Sequence, residues 1–178
     1  MNIRNIAPTA VTALLLSLVV STADAHTFGA SGAGFSAGFA HPFSGLDHLL
    51  AMTAVGLWAG RIGGHALWLI PAAFVTAMAA GAGVALLGLT VPMVEIGIAA
   101  SVVLFAALAL FGTRLPLAAA TAVAALFAVF HGHAHGSELP QAANALTYAA
   151  GFLTASVSLH IVGIVAARVT ALRLAHGH

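Results

Sequence analysis

Read for hydropathy alone, the chain is a series of long apolar runs separated by short polar breaks. Five runs, at approximately 45–60, 66–88, 93–112, 115–133 and 143–167, consist almost wholly of Ala, Val, Leu, Ile, Phe and Gly. Each approaches the roughly 20 residues that a helix needs to cross a bilayer. The breaks are "RIGGH", "GLTVP", "GTRLP" and the longer "HGHAHGSELPQ". Pro92 and Pro116 stand at expected helix starts, where the first N–H groups lack partners in any case. The first run is short, and residues just before Gly45 are candidates to extend it. The pattern predicts an all-α polytopic membrane bundle of about five spans, with six as the alternative. Gly56 and Gly60, four residues apart, suggest closely packed helices.

The N-terminus follows a different pattern. "MNIRN" is a positive n-region, "TAVTALLLSLVV" an apolar h-region, and "STADA" ends in Ala23 and Ala25, an A-x-A arrangement. This predicts a signal peptide over 1–25, cleaved after Ala25, with an uncleaved anchor as the alternative. Residues 26–178 then form one integral membrane domain. The stretch "HTFGASGAGFSAGFAHPFSG" is Gly-rich and too broken for a confident span, and Pro42 and Gly45 make "HPFSG" an expected turn.

Composition removes the soluble alternative. The chain is 61% hydrophobic and 5% charged, whereas soluble domains carry about 25% charged residues. A net charge of +1 gives no reason to expect nucleic acid. Without cysteine, disulfides and thiolate metal sites are excluded. The remaining charges are sorted. If the segment after the signal lies outside, Arg4, Arg61, Arg114, Arg168 and Arg173 all fall inside, as the positive-inside rule requires. Asp24, Asp47, Glu95 and Glu138 fall outside or at that edge, which the rule does not cover. The C-terminus is then cytoplasmic.

The polar residues gather in two places. "HPFSGLDHLLAM" carries His41, Asp47 and His48; "FHGHAHGSE" carries His131, His133, His135 and Glu138. The topology puts both at the outer mouth. On a helix His131, His135 and Glu138 share one face and His133 turns away, provided that Gly132 and Gly136 do not loosen that helix. Imidazoles with carboxylates suit zinc, copper, iron or nickel, while Cu(I) calls for Cys or Met and calcium or magnesium for oxygen shells. Additional candidates are Glu95 at the entrance, His133, His160 deep in the last span, and His26, whose imidazole would adjoin a new α-amine after cleavage. His65 reads as structural, and His176 and His178 as a weak inner-side metal motif.

The two clusters resemble the signatures of the HupE/UreJ family of hydrogenase/urease accessory membrane proteins, H-x5-D-H and F-H-G-x-A-H-G-x-E. The resemblance extends over the apolar spans and "GLWAGRIGG". It implies a bacterial inner-membrane permease for Ni2+, with Co2+ next, whose site comprises His41, Asp47, His48, His131, His135 and Glu138. His133 falls at a variable motif position. No prosthetic group is implied; the ion is cargo, the bilayer and the ion are the expected partners, a homo-oligomer is an option, and the beneficiary is a nickel or cobalt enzyme. Two other classes compete. A membrane enzyme lacks support, since H-E-x-x-H is absent and neither Ser44 nor Ser137 sits in a G-x-S-x-G elbow. A non-conducting metal sensor or binding protein would hold the ion without passing it.

Overall fold

Gly45 divides the first polar-to-apolar transition into two helices. In the computed structural model, which describes residues 34–139 and 144–176, the order is α1 (Phe35–Ser44), α2 (Leu46–Ile62), α3 (Ala66–Leu86), α4 (Val94–Phe111), α5 (Leu117–Ser137) and α6 (Ala145–His176). No strand occurs among the described residues. The expected signal peptide, His26 and His178 lie outside them.

The expected "HPFSG" turn is corrected. Residues 41–44 are helical, and Pro42, although it removes one backbone bond, is buried inside α1. The break falls on Gly45 alone, whose extended backbone (φ −102°, ψ 119°) cannot continue the helix. The close approaches fix its effect. Gly38 lies on the Tyr148 backbone and Gly151 on the Phe35 carbonyl, so α1 runs antiparallel to α6. Gly56 abuts the His160 carbonyl and Gly60 abuts Ile164 and Ala167, so α2 runs parallel to α6. The chain therefore reverses at Gly45, and His41 returns towards His48 by a helix rather than a turn.

A second parallel pair, α3 and α5, makes the most extensive contact in the bundle. Gly81 faces the Val129 carbonyl, Gly132 the Met78 carbonyl and Gly136 the Ala82 carbonyl. In lipid there is little hydrophobic drive between helices, so such backbone-close packing supplies the cohesion. Helix α4 packs on α2 and α5. The interior is filled by Trp58, Phe74, Phe105, Met52, Ile70 and Met78, all fully buried. The outer surface carries Trp68, Leu87, Phe111 and Leu146, as a lipid-facing surface should.

Helices α3 to α6 are each long and apolar enough to span a bilayer. At 17 residues, α2 is about 26 Å long, somewhat short of the ~30 Å hydrocarbon core. This is a multi-pass membrane protein. The last helix corrects its predicted end at 167: its 32 residues extend about 48 Å, so its final turns, with Arg168 and Arg173, continue beyond the hydrocarbon.

The two ends differ chemically. At one, the buried Trp58 donates Nε1–H to the Thr113 carbonyl (2.8 Å) and Arg61 donates to the Leu110 carbonyl (3.0 Å). These donors satisfy carbonyls left free where α4 stops at the left-handed Gly112. Arg168 lies against Gly63 at the same end. Trp58→Phe keeps the ring packing against Phe105 but strips the Thr113 carbonyl of its donor. The expected cost is about 1–3 kcal/mol, read as a lower thermal-unfolding midpoint of the purified protein. The opposite end holds Asp47, Glu95 and Glu138 around one cavity.

Candidate metal centre

Four helix ends converge at the acidic end: the last turns of α1 and α5 and the first turns of α2 and α4. They enclose a cavity of about 90 Å³ lined by His41, Asp47, His48, Glu95, His135 and Glu138 among others. A larger groove of about 730 Å³ runs between α3 and α5, but Ala, Leu and Thr line it and it holds no titratable group. The small cavity carries the chemistry.

Helix α5 remains helical through Gly132 and Gly136 to Ser137. These glycines do not loosen it. They let it press against α3, which fixes the facing direction of His131 and His135. Both imidazoles are buried, as is His48 on α2. His131 Nδ1 stands 3.0 Å from His48 Nε2, and His135 Nε2 contacts the same His48 Nε2. One imidazole nitrogen offers either a proton or a lone pair. His48 Nε2 therefore cannot serve two ring neighbours with a single hydrogen. Two imidazole nitrogens thus press on His48 Nε2 from either neighbour, without hydrogens enough to link both.

The surrounding groups aim these nitrogens. Asp47 Oδ1 accepts the backbone N–H of His48 at 2.9 Å and lies 3.5 Å from His48 Nδ1. A carboxylate behind one ring nitrogen turns the other towards a ligand, the usual outer partner of a metal-bound histidine. Ser101, fully buried in α4, donates its hydroxyl hydrogen to the Ile98 carbonyl at 2.7 Å. Its oxygen must then accept from His131 Nε2, 2.7 Å away. That fixes the His131 tautomer, with the proton on Nε2 and the lone pair on Nδ1 pointing at His48.

An outer group adjoins this inner one. His41, His135 and Glu138 each offer a ligand atom within 4.8 Å of the others. Glu138 Oε2 is 3.6 Å from His41 Nε2 and 3.8 Å from His135 Nδ1. His135 thus belongs to both groups, with Nδ1 outward and Nε2 inward. Phe152 of α6 supports the rings, its centroid 4.2 Å from that of His135.

The six residues named for the site from sequence come together here, five of them with Glu95 on the cavity wall and His131 behind it against His48. His133 does not. Its Nε2 lies 2.9 Å from the Leu89 carbonyl and 3.3 Å from the Val91 amide, so it fastens the loop between α3 and α4. His133→Ala is expected to leave metal affinity within about twofold, because no ligand or supporting partner is touched; isothermal titration of purified protein with Ni2+ checks this. His160 lies deeper, against Phe74 and away from the cavity. Sequence reasoning missed Ser101 and Phe152. Ser101 had a signal, being the single hydroxyl residue within α4; Phe152, one apolar residue among many, had none.

With the geometry in place, the chain can be set beside known proteins. The profile of the family described as HupE / UreJ protein matches residues 14–176. The chain is 48% identical, over 155 residues, to Protein HupE of Rhizobium leguminosarum bv. viciae, covering 86% of this chain and 81% of that protein. No solved structure matches.

Proposed function

Because the chain belongs to the HupE/UreJ family, we propose that it is a permease that admits a divalent transition-metal ion, Ni2+ first and Co2+ next, through the bacterial inner membrane. The observation that carries this reading is the group His41, His135 and Glu138, whose ligand atoms lie within 4.8 Å of one another, backed by His48 in contact with both His135 and His131. Imidazole nitrogens select borderline metals over calcium and magnesium.

The positive-inside rule orients the molecule, with the arginine-bearing end in the cytoplasm and the histidine mouth in the periplasm. A hydrated ion meets the carboxylates of Glu138 and Glu95 first. His41, Glu138 and His135 Nδ1 replace part of its water. The ion then passes to His48 Nε2, His131 Nδ1 and His135 Nε2, the Ser101 and Asp47 contacts holding those lone pairs in place. Ligands on separate helices suit transport, since a conducting site must also let go. The sequence has no lysine and hence no phosphate-binding G-x-x-x-x-G-K-[ST] loop. An inward-negative potential alone favours entry of a divalent ion by about 4.6 kcal/mol per 100 mV. Inside, the ion serves a nickel or cobalt enzyme.

Radioactive nickel and cobalt uptake, in cells and in proteoliposomes of the purified protein, tests this reading. Saturable uptake of either ion above empty vesicles is the expected result. Stoichiometric binding without flux would select a sensor, and metal-dependent turnover of a lipid or peptide without flux would select an enzyme.

A further inference from the structure

His160 takes no part in the mouth cluster, yet it is 1% exposed and neither ring nitrogen has a hydrogen-bond partner. It stands two helical turns beyond Phe152 on α6, about 12 Å further towards the arginine-bearing end. Buried polar atoms are nearly always paired, and an unpaired one calls for an explanation such as a visiting ion or water. An apolar side chain of the same size would fill the position without that penalty. An ionisable residue at this depth of a membrane protein ordinarily marks a pathway.

The neighbours connect His160 to the mouth. The Phe74 ring meets the His160 ring edge to face, with centroids 5.4 Å apart. The same Phe74 ring lies 5.7 Å from His131, so one aromatic wall is shared by the innermost mouth ligand and His160. One turn back along α6, Ser156 is fully buried. Its hydroxyl donates to the Phe152 carbonyl at 2.9 Å, leaving the oxygen lone pairs uncommitted. Two buried polar side chains of α6, Ser156 and His160, therefore stand inward of the mouth, in an interior otherwise made of Met52, Val55, Phe105 and alanines.

We propose that His160 is a second, inward binding station for the transported cation, reached from the mouth cluster past Phe74. This deepens the permease reading and rests on it. A single imidazole, with water completing the shell, holds a borderline divalent ion weakly. That weakness is what a release station needs, whereas the mouth, with several ligands, is built for capture.

His160→Leu tests the assignment, with His160→Gln as the variant that restores a polar ligand atom. In the full-length protein, Ni2+ binding in detergent should stay within about twofold of wild type, because the mouth ligands are untouched. Nickel flux into proteoliposomes should fall roughly tenfold or more in His160→Leu, the effect of one polar partner lost in a dry site, and should recover in part in His160→Gln. The thermal midpoint of His160→Leu should equal or exceed that of wild type. Undiminished flux in His160→Leu beside active wild type overturns this proposal alone. A wild type that binds Ni2+ but passes none overturns the permease reading and this proposal together. Failure of both variants to assemble overturns it too, by making His160 a structural residue.

Discussion

His48→Ala is expected to abolish nickel uptake while leaving the amount of protein in the membrane unchanged. His48 is the hub of the cluster: its Nε2 faces both His131 and His135, and its Nδ1 faces Asp47. Removing it deletes the imidazole that both other rings contact. The void is small, and the α2–α6 contact through Gly56 and Gly60 remains intact, so the fold should survive. The supporting residues should show graded effects. Asp47→Asn keeps the shape but loses the charge that orients His48, and a supporting partner of this kind is worth about 10–100-fold in affinity or activity. Ser101→Ala frees the His131 ring to exchange tautomers and belongs to the same range or slightly below it. Uptake by His48→Ala within twofold of wild type, at equal membrane abundance, would remove the metal centre from this end of the molecule.

The second large effect is on assembly. A Cβ at Gly132 would run into the Met78 carbonyl, which is rigid helix backbone and not a side chain that can swing aside. Overpacking ordinary cores costs about 1–3 kcal/mol. Here two helices would have to separate along their main contact, so Gly132→Ala should reach or exceed the upper end of that range. The displacement would also carry His131 away from His48 and so remove metal binding. Gly83 provides the control. It lies in α3, where an added methyl would meet nothing within 4 Å, and alanine there should be neutral or stabilising by up to about 1 kcal/mol. Thermal unfolding and size-exclusion profiles of the two variants make the comparison. A monodisperse Gly132→Ala protein with an unchanged midpoint would show that the α3–α5 contact is not what holds the bundle together.

Most of the architecture was legible because lipid imposes a simple requirement. Each span must satisfy its own backbone, so apolar length alone identifies α3, α4 and α5 to within a few residues. The two departures have physical causes. Arg168 and Arg173 mark where hydrocarbon ends, but a helix closes its hydrogen bonds equally well in water, so α6 runs on. "HPFSG" contains the residues that usually break helices, but Pro42 costs only one backbone bond, and burial against α6 holds α1 together up to Gly45. The clustering at the candidate site was legible, since carboxylates are scarce in this chain and histidines crowd beside Asp47 and Glu138. The layer that supports it was not. The orientation of His131 depends on Ser101, thirty positions away in the sequence, and only packing brings the two together.

The parallel pairing of α2 with α6 has a consequence for how the protein is made. His48 enters the membrane 83 residues ahead of His131, and α6 is synthesised later still. At about 5–20 residues per second, the ribosome takes several seconds to supply the missing neighbours. Throughout that interval the glycine face of α2 has no mate, and its imidazole waits without the others. The imidazole cluster is thus assembled only near the end of translation, and a nascent chain released before α5 is complete would enter the bilayer without His131 and His135.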